Sequence, residues 1–346
     1  MLKKYLISLC LALLLTAAVV TGLITQPVFR PSAQASFPSI GPSIGPSMSP
    51  AVDPAVLETH VRVLSEMLHP RCFDHPDNLE ATARYIERHL AAAGGRTQVQ
   101  KFPVDELEYS NVVAEFGPKD GPALIVGAHY DSEGETYREP PHYTPGADDN
   151  ASGTAALLAL ADLLGRHPPA KRVQLVAYCL EEPPFFATDK MGSAAHAARL
   201  NRDRVPVLGM ISLEMVGYFS DAPGSQTYPA AIMGLLYPDK GDFIGVVGRF
   251  QDMGLTRTVK AAMLGASDLP VFSINAPPLV PGVDYSDHRN YWPYGHEAVM
   301  ITDTAFYRNF HYHTNEDTAD TLDYRRMAKV VQGVFAAVVA LTGNGN

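Results

Sequence analysis

Hydrophobic positions change period several times along the chain, and each period names an element. Val56, Val61, Leu64 and Leu68 recur at the spacing of one helix face. Leu79, Ala83, Ile86 and Leu90 repeat that spacing until Gly94-Gly95 ends the run. From there, short apolar runs alternate with amphipathic ones. Strands are predicted over 111–116, 123–128, 172–180, 207–213, 242–248 and 298–303, and helices over 152–164, 191–200 and 324–341. Strand–helix alternation covers both faces of a sheet with helices. The expected fold is therefore α/β, a three-layer α/β/α sandwich around a mostly parallel, mixed central sheet. Nothing interrupts the pattern after residue 53, so 53–346 is read as one domain.

The first 52 residues follow a different logic. Lys3 and Lys4 precede a run without charge, 5–25, and Ala33-Gln34-Ala35 offers a small-x-small cleavage pattern. Residues 1–35 read as a signal peptide or, since the run reaches the ~20 residues of a bilayer span, a membrane anchor. Either way the chain is expected to be exported, with membrane contact only through that anchor. Residues 36–52 repeat Pro-Ser-Ile-Gly and read as an extended linker.

Composition narrows the function. With 46% hydrophobic and 18% charged residues, the 346-residue chain fills a globular core. A formal net charge of -10 argues against nucleic acid, whose phosphates need a basic surface. Of three cysteines, Cys10 lies in the uncharged run, and Cys72 and Cys179 alone make no disulfide framework.

Polar residues at predicted strand ends carry the chemistry, because open α/β sheets bind ligands at the carboxyl ends of their strands. His129-Tyr130-Asp131 closes the strand 123–128, and residues two apart in extended chain face one side, so Asp131 is placed to orient the His129 ring. Asp148-Asp149 precedes Asn150 and Ser152 at a helix start; capping accounts for one acid but not for two flanked by Gly146 and Gly153. Glu181-Glu182 ends the strand 172–180, where one carboxylate can bind a metal while its neighbour moves a proton. Glu214 is a single charge ending an apolar strand and needs a cationic partner. His313 sits near Asp317, although chemistry alone does not choose it over His288, His296 or His311. Two histidines and three carboxylates suit zinc, with manganese or cobalt as substitutes.

The ordered set resembles the zinc aminopeptidase family that includes bacterial leucyl aminopeptidases, glutamate carboxypeptidase II and the glutaminyl cyclases. The resemblance rests on Gly127-Ala128-His129-Tyr130-Asp131-Ser132, on the stretch from Pro145 to Gly153, and on Glu181-Glu182, Ser286-Asp287-His288 and Tyr312-His313-Thr314. It implies that His129 and Glu214 hold one zinc, Glu182 and His313 the other, and Asp149 bridges them, with a cis peptide to Asn150. It also implies that Glu181 is the general base, Asp131 the residue orienting His129, and Tyr312 a hydroxyl facing the transition-state oxyanion. Residues 53–346 then form a two-zinc peptidase catalytic domain acting on peptides. A bridging water activated by two zinc ions would attack the scissile bond while Glu181 moves its proton. Glu214 departs from the pattern, because aminopeptidases commonly place Asp there.

The favoured activity is that of an aminopeptidase. A carboxypeptidase of the same fold would need an arginine for the substrate carboxylate, and Arg308 is the candidate nearest in sequence. A glutaminyl-peptide cyclase would use a single zinc. The stretch 132–144, with His142 and Tyr143, is expected to rim the pocket as a loop.

Overall fold

The computed structural model describes residues 16, 19–27, 50–135 and 141–343. Most of the expected signal or anchor (1–35) and linker (36–52) therefore lies outside the described residues. Residues 19–25 are helical, and among the described residues no helix is long and apolar enough to cross a membrane.

Helix α1 (Pro54–Arg62) starts where Asp53 accepts the Ala55 amide, with proline at the first helical position. Helix α2 (Pro76–Ala92) leads into the hairpin β1 (Arg96–Val104) and β2 (Leu107–Phe116). Strand β3 (Ala123–His129) is followed by the ribbon β4 (Gly134–Glu135) and β5 (His142–Tyr143), which lies within the expected rim loop. Then come α3 (Gly153–Arg166), β6 (Arg172–Tyr178), α4 (Gly192–Arg202) and β7 (Val207–Glu214). The chain closes with β8 (Ile244–Gly248), α5 (Met253–Ala266), β9 (Val271–Asn275), β10 (Ala298–Thr302) and α6 (Tyr324–Thr342).

Eight strands form one mixed sheet in the order β1-β2-β6-β3-β7-β10-β8-β9. Its centre, β6-β3-β7-β10, is parallel; β2, β8 and β9 run against it, and β1, antiparallel to β2, runs with it. Period-two alternation splits the core. Leu124, Val126 and Ala128 of β3 pack with α1, α3 and α6, whereas Ala123 and Ile125 face Ala197 and Leu200 of α4 on the other side. The architecture is the expected α/β sandwich.

One boundary and three elements differ from expectation. Strand β6 stops at Tyr178 because Leu180 turns left-handed (φ 64°), and that turn delivers Glu181 and Glu182. Strand β1 gave no sequence signal: it is polar along one face and carries Pro103, which an edge strand tolerates. Helix α5 and strand β9 were likewise not predicted.

Candidate active site

Strands β6, β3 and β7 are neighbours that end on the same edge of the sheet, and their last residues face one another. His129 ends β3 and Glu214 ends β7, with His129 Nε2 3.3 Å from Glu214 Oε1. The same nitrogen is 3.3 Å from Asp149 Oδ1 and 3.9 Å from Glu181 Oε2. The other Asp149 oxygen, Oδ2, lies 3.2 Å from His313 Nε2, which in turn is 3.3 Å from Glu182 Oε2. Asp149 thus stands between two sets of donors, His129 with Glu214 and His313 with Glu182.

Local geometry presents each of these groups. Gly146 is left-handed (φ 59°), and a Cβ there would meet the Asp149 carbonyl at 2.2 Å. Gly153 lets α3 approach β7; its Cβ would fall 2.3 Å from Asn150 Oδ1 and 2.5 Å from the Leu213 carbonyl. The Asp149–Asn150 peptide is cis. The Asn150 amide group ties this turn to β7, donating to Leu213 O (2.9 Å) and accepting from Met215 N (3.1 Å). Asp148 turns away from the cluster, accepting from Gly217 N and Asn309 Nδ2. The Asp131 carboxylate accepts the amides of Glu181 and Glu182, both at 3.1 Å, and so holds the turn that presents them. Its Oδ1 is 3.6 Å from His129 Nδ1, and its backbone carbonyl is nearer, at 3.2 Å.

Excess negative charge dominates the electrostatics. Asp149, Glu181, Glu182 and Glu214 are all buried around two imidazoles. Burial alone would pull the His129 imidazole down, but Glu214 and Glu181 outweigh it and hold it well above its ordinary value. For His313 burial is likewise overridden, by Glu182 and Asp149, and it rises to about 11. Burial pushes Glu181 well up, aided by Glu214 and Glu182, and burial with the Asp149 charge brings Glu182 to about 7. Glu182 Oε1 is buried without a hydrogen-bond partner. An unpartnered carboxylate oxygen beside two imidazoles, with a surplus of negative charge, fits divalent cations.

Residues 111–338 match the model of peptidase family M28. The chain belongs to that family. As an M28 protein it is a hydrolase, a metal-dependent peptidase. It is 55% identical over 279 residues to the Escherichia coli K12 protein YfbL, covering 81% of this chain and 85% of that one. It is 25% identical over 262 residues to leucine aminopeptidase 1 of Ajellomyces dermatitidis, covering 72% of this chain and 62% of the fungal one. Its fold is similar to that of a zinc aminopeptidase from Bacillus subtilis (TM-score 0.65, 15% identity, 85% and 95% of the two chains). It is also similar to that of a glutaminyl cyclase from Bacteroides thetaiotaomicron (TM-score 0.64, 18% identity, 84% and 98%).

Around this M28 site, Arg71 gives no sequence signal, and Asp317 and Ser286 lie in stretches named from the sequence without a role. Arg71 is fully buried and donates to the carbonyls of Leu64, Tyr130, Pro145 and Gly146, joining the end of β3 to the Asp149 turn. Asp317 accepts the amides of Asp148 and Asp149. Ser286 Oγ donates to Glu214 Oε2 at 2.7 Å and is 2.8 Å from Ser212 Oγ. The remaining candidate histidines stay outside the cluster: His288 bonds the Val283 carbonyl, His296 lies against Tyr291, and His311 lies against Tyr218. Tyr312 stacks on His313 with ring centroids 3.8 Å apart, and burial holds its hydroxyl well above the ordinary value, so it remains a donor. Cys72 and Cys179 are free thiols.

Proposed function

We propose that this chain is a two-zinc aminopeptidase that removes apolar or aromatic residues from the amino end of peptides. The observation that carries the proposal is the Asp149 carboxylate, whose two oxygens face separate histidine–glutamate pairs. Zinc bound at these pairs supplies the Lewis acidity that acidifies a water and polarises the scissile carbonyl. The residues that would hold it are His129, Glu214, Asp149, Glu182 and His313.

Glu181 lies beside this focus without belonging to either pair. Burial raises its proton affinity, which suits a base that must take a proton from water and then give it to the leaving amine. The Tyr312 hydroxyl donates to the oxygen that becomes negative in the transition state. Asp131 fixes the turn on which Glu181 and Glu182 sit, so both roles depend on its carboxylate.

Two features favour an amino-terminal over a carboxy-terminal specificity. An apolar pocket opens beside Glu214 and Tyr312, lined by Met233, Phe243, Val247, Phe272 and Met300, and among the described residues no lysine or arginine is in its wall. A substrate carboxylate would find no cation there, whereas an apolar side chain is well received. Arg308 is committed elsewhere: it is buried and bonds Gln226 Oε1 and the carbonyls of Tyr218 and Phe243.

The experiment is Glu181→Gln. The variant is expected to retain its metal and lose about 10²- to 10⁴-fold in kcat on a leucyl substrate. Turnover near the wild-type rate would assign the base to another group. Export belongs to the same proposal, on the strength of Lys3-Lys4 and the uncharged run 5–25; finding the enzyme in the cytosolic fraction would remove it.

A further inference from the structure

The turn between α1 and α2 gathers a second set of metal-ligating side chains, none of which the proposed chemistry uses. The His75 amide bonds the Cys72 carbonyl at 2.9 Å, and this tight turn brings the side chains of Cys72, Asp74 and His75 to one point. Cys72 Sγ is 2.6 Å from Asp74 Oδ1 and 3.4 Å from His75 Nδ1, and His75 Nδ1 is 2.9 Å from Asp74 Oδ1. We infer that Cys72, Asp74 and His75 form a third cation site, separate from the Asp149 cluster and suited to zinc.

The donor set carries the choice of ion. A thiolate, an imidazole and a carboxylate are together a zinc set, and the sulfur disfavours magnesium and calcium. The Asp74 carboxylate is already oriented from outside, because Tyr143 of β5 donates to its second oxygen, Oδ2, at 2.9 Å. That leaves Oδ1 for the ion, the arrangement by which outer hydrogen bonds fix a ligating carboxylate. Cys72 is buried, while His75 and Asp74 reach solvent, so the ion has an entry path and a position left for water. Pro76 opens α2 here, and the partial positive end of that helix opposes a cation by about half a charge. Two anionic ligands outweigh it. On coordination the Cys72 thiol releases its proton to solvent.

The site has a structural consequence. It joins the turn beginning at Arg71 to the ribbon β4–β5 through Asp74 and Tyr143. Arg71 holds the Tyr130, Pro145 and Gly146 carbonyls, and its own carbonyl accepts the Ser132 amide. An ion at Cys72 therefore braces the segment that aligns His129 and Asp149.

The test uses the whole chain, stripped of metal and titrated with cobalt(II) as a spectroscopic stand-in for zinc. No ligand of the Asp149 cluster contains sulfur, so a thiolate-to-cobalt charge-transfer band reports on a cysteine site alone. The wild type is expected to develop that band. Cys72→Ser should lose it and hold one metal equivalent fewer by elemental analysis, and His75→Ala should also hold one fewer. The comparison is between wild type and variant, so it is independent of how many ions the Asp149 cluster binds. A wild type without the band, a band that survives in Cys72→Ser, or equal metal content in His75→Ala and wild type would each overturn the inference. His75 is partly exposed, so its variant keeps the test available if Cys72→Ser fails to fold.

Discussion

At the scale of single residues, adjacent acids in this site have separate fates. Asp148 and Asp149 are chemically identical, yet Asp148 accepts Gly217 N and Asn309 Nδ2 while Asp149 faces both imidazoles. Sequence chemistry left that choice open, since it depends on which way a single turn points. Glu214 is the other particular residue. One methylene longer than aspartate, it is held by Ser286, which Ser212 supports in turn. Ser286→Ala is expected to weaken metal retention about 10- to 100-fold, measured by competition with a chelator, because outer hydrogen bonds orient metal ligands. Unchanged affinity would mean that Glu214 needs no such support. Glu214→Asp should keep activity and Glu214→Ala should lose one metal equivalent; an alanine variant with undiminished metal content would remove Glu214 from the ligand set.

At the scale of elements, the parallel strands β6, β3 and β7 do the assembling. Their endings were legible because each combines an apolar run with an abrupt polar terminus. That pattern singles out His129, Glu181-Glu182 and Glu214 as candidates, and the resemblance assigns their roles. His313 was legible only through the resemblance, as it sits in a loop after β10 with no periodicity to point to it. Arg71 was not legible at all: an arginine between two helices reads as solvated, and only the fold reveals four carbonyls around it. Those carbonyls lose their donors in Arg71→Met, at a cost of about 1–3 kcal/mol for each one left unsatisfied. The variant should unfold at markedly lower denaturant, and a midpoint equal to wild type would show that the joint is dispensable. Strand β1 and helix α5 escape prediction because one is polar along one face and carries Pro103, and the other follows a stretch without clear punctuation.

For the molecule as a whole, the sandwich was legible and the interior polar chemistry was not. Burial keeps His60 at about 4, with help from His89, His196 at about 3 and His288 at about 4. A histidine whose folded value is depressed contributes stability that is present above its unfolded value near 6.5 and lost as the pH falls toward the folded one. Each therefore costs about 1.4 kcal/mol per pH unit through that window. Chemical denaturation of wild type and His196→Gln at pH 7 and pH 4.5 should find the wild type losing more stability on acidification; equal losses would mean that His196 is charged in the fold. The central claim is that Asp149 stands between two bound cations. Anomalous diffraction at the zinc edge from crystals of the zinc-loaded protein tests it directly. Two peaks are expected to flank the Asp149 carboxylate, one against His129 and Glu214 and one against Glu182 and His313. A single peak there, or none, would contradict it.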